Sequence, residues 1–239
     1  MNKLLTTLFA LLVASATGFA QAQAPAASAP AAAASKPAAE PASPASLQAK
    51  IAMCLGCHNI PGYQASFPEV HRVPMIAGQT ATYIESALAA YKTGERKHPT
   101  MRGIADQLSE QDIKDIAAYY SKLAGQSTAP EKLSREPSPQ VAALLQKAAC
   151  VSCHGANFSK PIAPNYPKIA GQHRDYLFVA LKAYKQENNQ AVGRNNGIMG
   201  GIAKQFSTAD LKAMADYIGS LEGDLKTVPE SRFHGGSHK

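Results

Sequence analysis

A block of roughly 80 residues occurs twice in this 239-residue chain, and the duplication constrains the fold more than any other feature. The first copy runs Cys54-Leu55-Gly56-Cys57-His58, then Pro74-Met75-Ile76-Ala77-Gly78-Gln79, then Tyr83, Leu88, Tyr91 and Lys92, and ends at Met101-Arg102-Gly103-Ile104-Ala105. The second runs Cys150-Val151-Ser152-Cys153-His154, Pro167-Lys168-Ile169-Ala170-Gly171-Gln172, Tyr176, Leu181, Tyr184 and Lys185, then Met199-Gly200-Gly201-Ile202-Ala203. The offset is 96 residues at the first Cys, 93 at the Gly-Gln pair and 98 at the Met. Small insertions between matching blocks are what a duplicated domain leaves behind. So short a copy has little apolar surface to bury, and a large group filling its centre would help hold it together.

The elements of each copy read as helices. Tyr83, Ala87, Leu88 and Tyr91 fall at helical spacing, as do Tyr176, Ala180, Leu181 and Tyr184. Ser109-Glu110-Gln111-Asp112 and Ser207-Thr208-Ala209-Asp210 are helix starts of the Ser-x-x-Asp kind. Ile113, Ile116, Ala117 and Tyr120 follow the first as an apolar face, and Leu211, Met214, Ala215 and Ile218 follow the second. No run alternates with a period of two, so the fold class expected is all-α, two tandem domains.

The ends read differently. Lys3, the apolar run Leu4 to Ala14 and the small-residue sites Ala20-Gln21-Ala22 and Ala22-Gln23-Ala24 make a secretory signal, too short to span a bilayer. An Ala/Pro/Ser tract follows, with too little branched or aromatic surface to offset its ordering entropy. Ser46 is the expected cap of the first helix. The expected organisation is a signal peptide over 1–22, a flexible leader over 23–46, a first domain over 47–126, a connection over 127–138, a second domain over 139–222 and a loose polar tail over 223–239.

Cys-x-x-Cys-His carries the chemistry. On a helix, Cys at i and i+3 and His at i+4 share a face, so two thiols can add to vinyl groups while an imidazole reaches an iron. Cys54, Cys57 and His58 meet that requirement, and so do Cys150, Cys153 and His154. The pattern predicts two covalently attached haem c groups. A thioredoxin-like pair lacks its βαβ context, a zinc site would have to join knuckles 96 residues apart, and simple disulfides leave both histidines unexplained. For the opposite axial position, Met101 and Met199 are equivalent in the repeat. His98 competes with Met101 in the first copy, but Asn196 stands at its place in the second. Pro74 and Pro167 are candidates to offer a carbonyl to the free N–H of His58 and His154, against the alternative of plain loop prolines. A thioether ligand favours ferrous iron, and it fills the position that peroxide or a substrate would need.

Together these residues resemble the diheme class I cytochromes of the cytochrome c4 type, over about residues 47–222. The resemblance implies two cytochrome c domains related by a pseudo-twofold axis, with haem propionate edges facing each other. It implies a periplasmic carrier that serves a terminal oxidase or another respiratory partner. One departure stands out: the Cys-His-Gly of the pattern, kept at Gly155, becomes Asn59-Ile60-Pro61-Gly62 in the first copy, and Glu69 to Val73 is unusual.

The formal charge is +7 and scattered, which gives no nucleic-acid footprint. Residues 47–126 hold eight Lys/Arg and seven Asp/Glu, whereas 138–222 hold nine and five, so the second half is the basic one and is expected to dock on an acidic partner. The expected function is electron transfer between redox proteins such as a dehydrogenase and a terminal oxidase, with no small-molecule substrate and no enzyme activity. Membrane association would come only through a partner or an uncleaved leader. A subunit of a dehydrogenase or oxidase complex is the alternative, and a diheme peroxidase is disfavoured by the paired methionines.

Overall fold

The computed structural model describes residues 44–230, with side chains over 46–230. The expectations for a signal peptide and for most of the leader lie outside the described residues. In the first half, α1 (Pro44–His58) carries the attachment motif at its C-terminal end. A ribbon of β1 (Gln64–Ala65) and β2 (His71–Arg72) follows, then α2 (Ala81–Thr93), β3 (Arg96–Lys97), α3 (Pro99–Ala105) and α4 (Glu110–Leu123). The second half repeats the order with α5 (Pro139–Lys147), α6 (Val151–His154), α7 (Arg174–Ala183), β4 (Gly193–Arg194), α8 (Gly197–Ala203) and α9 (Thr208–Ile218).

Local chemistry sets the helix ends. The Ser109 and Ser207 hydroxyls accept from the N–H of Asp112 and Asp210, whose carboxylates accept in return from the serine N–H, closing both capping boxes. The faces read from the sequence are buried: Ile113, Ile116, Ala117 and Tyr120 in one core, and Leu211, Met214, Ala215 and Ile218 in the other. α2 packs on α4, and α7 packs on α9 in the equivalent way. α1 is fixed to α4 by Lys50, whose ammonium lies 2.7 Å from Asp112 and 3.1 Å from Asp115.

Four differences from the sequence reading have physical causes. The first helix starts at Pro44 rather than after Ser46, since a helix's first turn leaves its N–H groups unpaired and proline has none to lose. The helix of the second motif is interrupted at Ala149, which takes φ 50°, but His154 N–H still reaches the Cys150 carbonyl at 3.0 Å and preserves the turn between them. Two ribbons of two-residue strands add to the helical frame; strands so short leave no periodicity to read. One of them, β3–β4, joins the halves, setting Arg96 opposite Arg194.

The fourth difference is the chain's return. Residues 223–230 are not loose: Lys226 pairs with Ala77 as an isolated bridge, and the Asn59 amide donates to the Val228 carbonyl at 2.6 Å. Asp224 is 5% exposed and accepts from Ser127 Oγ, from the N–H of Thr128 and Ala129 at 2.9 Å each, and from Lys168 Nζ at 2.9 Å. This strap explains the departure after His58. Gly155 takes φ 81°, and a Cβ there would sit 2.0 Å from the Lys160 carbonyl oxygen. Asn59 instead ends α1 with its side chain spanning Tyr120, whose hydroxyl donates to it at 2.8 Å, and the strap. The unusual segment 59–73 forms the β1–β2 hairpin and reaches α7: Arg72 Nε donates to Asp175 at 3.0 Å, and Glu69 pairs with Lys182.

Candidate functional site

Each half presents the same cluster. In the first, the last turn of α1 brings Cys54, Cys57 and His58 to a cavity, and α3 brings Met101 to it. In the second, α6 and the residue before it supply Cys150, Cys153 and His154, and α8 supplies Met199. The cavity is continuous between the halves, with a volume of about 670 Å³. All four cysteines are free. Burial pushes the Cys54 and Cys150 thiols up to about 11, so both stand protonated in an apolar setting.

His58 Nδ1 lies 2.8 Å from the Pro74 carbonyl oxygen, and His154 Nδ1 lies 2.9 Å from that of Pro167. A carbonyl only accepts, so each Nδ1 carries the proton and each Nε2 keeps a lone pair. Burial pushes both histidines below their ordinary value, and the carbonyls oppose that in part. A neutral imidazole with a free Nε2 beside two thiols is the donor set that a covalent haem requires.

His98 and Asn196 occupy equivalent positions and do the same task. His98 Nδ1 accepts from the Met101 N–H at 3.4 Å, and Asn196 Oδ1 accepts from the Met199 N–H at 3.0 Å, each capping the helix that carries the methionine. Among the described residues no group of three or more His, Cys, Asp or Glu is gathered to hold a metal ion.

Two pairs of residues carry roles that the sequence reading did not give them. Arg96 and Arg194 face each other across β3–β4, and each donates to a tyrosine of its own half, Tyr83 at 2.6 Å and Tyr176 at 2.9 Å. Their guanidinium carbons lie 5.2 to 5.7 Å from the rings of Tyr83, Tyr91, Tyr176 and Tyr184. Like charges directly opposed cost stability unless an anion meets them, and both arginines line the cavity. Their common 98-residue offset, shared with the methionines, was the available signal. The second pair is Gln79 and Gln172, both buried and both hydrogen-bonded to the opposite half.

Doubled helical domains, each offering two thiols, an imidazole and a thioether to a shared cavity, define a covalent-haem electron-transfer protein. The cytochrome c family model matches residues 48–124 and 140–222, and the chain belongs to that family. It is 30% identical to cytochrome c4 from Stutzerimonas stutzeri, over 92% of this chain and 100% of that protein. The crystal structure of reduced recombinant cytochrome c4 from Pseudomonas stutzeri superposes with a TM-score of 0.53 at 29% identity, covering 74% of this chain and 97% of that one. A thiosulfate dehydrogenase electron acceptor from Stutzerimonas stutzeri is 28% identical over 70% of this chain and 78% of its own length. The protein is a diheme electron-transfer cytochrome with two haem c groups, not an enzyme.

Proposed function

We propose that this chain is an exported, periplasmic electron shuttle that takes electrons from a dehydrogenase and delivers them to a terminal oxidase. Cys54 and Cys57 would hold the first haem through thioether bonds, and His58 and Met101 would bind its iron. Cys150 and Cys153 would hold the second, and His154 and Met199 would bind its iron. The observation that carries this reading is the matched pair of Nδ1-tethered histidines, each beside two free thiols and facing the cavity that also receives a methionine.

Bound haem supplies a one-electron iron couple. The protein's own part is to hold and orient. Pro74 and Pro167 fix the imidazole planes through the Nδ1–H bonds and raise the basicity of each ring. His98 and Asn196 pin the turns that carry the two methionines. An imidazole and a thioether both bound to the iron would leave no coordination site for peroxide or a substrate, which would favour outer-sphere transfer over turnover. Arg96 and Arg194 are the cations placed to compensate the haem carboxylates. The likeness to a thiosulfate dehydrogenase electron acceptor favours a sulfur-compound dehydrogenase as the donor. Residues 1–22 serve as the export signal, and among the described residues no helix is long and apolar enough to cross a membrane.

The test is a redox titration of the matured protein followed by visible and near-infrared absorption. Two haems per chain and the ferric charge-transfer band of His/Met ligation are expected. Met101→Ala and Met199→Ala should each remove about half of that band. A band untouched by either change would overturn the assignment. Reduction by a thiosulfate dehydrogenase in the presence of thiosulfate, absent without thiosulfate, tests the donor.

A further inference from the structure

The two halves exchange two pairs of hydrogen bonds, each leading to the peptide unit that holds His58 or His154. Pro74 C=O, which accepts from His58 Nδ1–H at 2.8 Å, belongs to the same peptide unit as the Met75 N–H. That N–H donates to Gln172 Oε1, from the other half, at 3.0 Å, and Gln172 Nε2 donates back to the Met75 carbonyl at 2.8 Å. The reciprocal set is complete. Pro167 C=O accepts from His154 Nδ1–H at 2.9 Å, and the N–H of the same peptide unit, that of Lys168, donates to Gln79 Oε1 at 2.9 Å. Gln79 Nε2 donates to the Lys168 carbonyl at 3.0 Å.

The orientation of both amides is fixed by their surroundings. Gln172 Oε1 also accepts from the His173 N–H at 3.0 Å, and Gln79 Oε1 from the Thr80 N–H at 3.2 Å. Each oxygen therefore faces two donors, which excludes the flipped amide. Both side chains are 4% exposed, so water does not compete for these bonds.

We propose that Gln79 and Gln172 are positioning residues for the axial histidine of the opposite half, each setting the reduction potential of the haem in the half to which it does not belong. The proposal rests on the ligand assignment above. When a peptide N–H is engaged by an acceptor, its own C=O gains electron density and becomes a stronger acceptor. A stronger bond from His58 Nδ1–H to Pro74 makes the ring a better donor to iron, which favours the ferric state. Gln172 thus holds down the potential of the first haem, and Gln79 that of the second. A change in either half reaches the other iron through three bonded groups.

The experiment uses the full chain matured with both haems. Gln172→Leu removes the acceptor from the Met75 N–H. At fixed ambient potential it should raise the ferrous-to-ferric ratio of the first haem by roughly threefold and leave the second unchanged. Gln79→Leu should do the reverse. Haem-resolved titration by NMR of the haem methyl groups reads both, and the Nδ1–H resonance of the opposite histidine should move upfield. Gln172→Asn, one methylene shorter, should shift the first haem in the same direction by less, and it serves if the leucine variant does not mature. A glutamine acting only as interface glue would lower stability while moving both haems together or neither, and that result overturns the proposal even with the near-infrared band intact. Loss of the band in the unmodified protein would overturn the proposal together with the ligand assignment beneath it.

Discussion

Asp224 shows how much one buried charge can organise. Burial alone would raise its pKa, but Lys168, the Ser127 hydroxyl and the Ala129 N–H outweigh that and hold the carboxyl below its ordinary value of 3.8. Removing one partner of a buried, hydrogen-bonded ion pair leaves the other charge uncompensated, so Asp224→Ala should destabilise the holoprotein by about 3 kcal/mol in denaturant titration. A carboxyl whose folded value is depressed contributes stability that is fully present above 3.8 and lost as pH falls through the folded value. The variant should therefore lack that part of the wild type's loss of stability in acid, measured by denaturant midpoints from pH 6 to pH 2. Lys168 could be seen in the sequence only as the variable position of Pro-x-Ile-Ala-Gly-Gln. Its partner lies 56 residues onward, in a stretch whose polarity reads as a loose end. Cys54, Cys57, His58, Cys150, Cys153 and His154, the residues proposed to hold the haems, stand out in the sequence because the Cys-x-x-Cys-His spacing itself suggests the chemistry. Gln79 and Gln172 were visible as a repeated motif, but their role depends on partners 89 and 97 residues away.

Among the elements, helices announce themselves and short strands do not. α4 and α9 were readable from start to face because capping and packing are both local in sequence, three or four residues apart. Ser207→Ala should cost about 1 kcal/mol in thermal or denaturant unfolding, the usual worth of an N-cap hydroxyl. The β1–β2 hairpin and the β3–β4 ribbon have two residues per strand, and what holds them is a distant helix or the opposite half. The loop before α2 is equally tight. Gly78 takes φ 88°, and a Cβ there would lie 2.5 Å from the Asp224 carbonyl oxygen and 2.9 Å from the Ala124 Cβ. Both contacts belong to backbone or packed core, so Gly78→Ala should destabilise by about 2 kcal/mol or more. Gly62 also has positive φ, at 73°, but a Cβ there would meet nothing within 4 Å, and alanine should be tolerated better.

Across the whole molecule, the halves meet through two reciprocal contacts, the glutamine exchange and the opposed arginines, and through the one-way Arg72–Asp175 pair. The duplication accounts for two like domains and also contains the glutamines and arginines that join them, but the residue that each one meets is set by the packing of the two halves. The halves differ in charge, and the more basic second half is proposed as the docking face for an acidic partner. Electron-transfer rates to that partner should fall as ionic strength rises, measured by stopped flow, and rates indifferent to salt would remove the steering.

The strap at 224–230 has a consequence for how such a chain comes into being. A ribosome, and any export machinery after it, delivers residues in order from the N-terminus. Yet in the earlier half the Asn59 side-chain amide N–H and the Ala77 carbonyl meet their partners only when Val228 and Lys226 arrive. That makes the half born first the half completed last, a long-range closure of the kind that slows folding. A chain stopped after Glu222 should betray this in hydrogen exchange, with amides of Ile76 to Tyr120 opening more readily than those of Leu211 to Ile218.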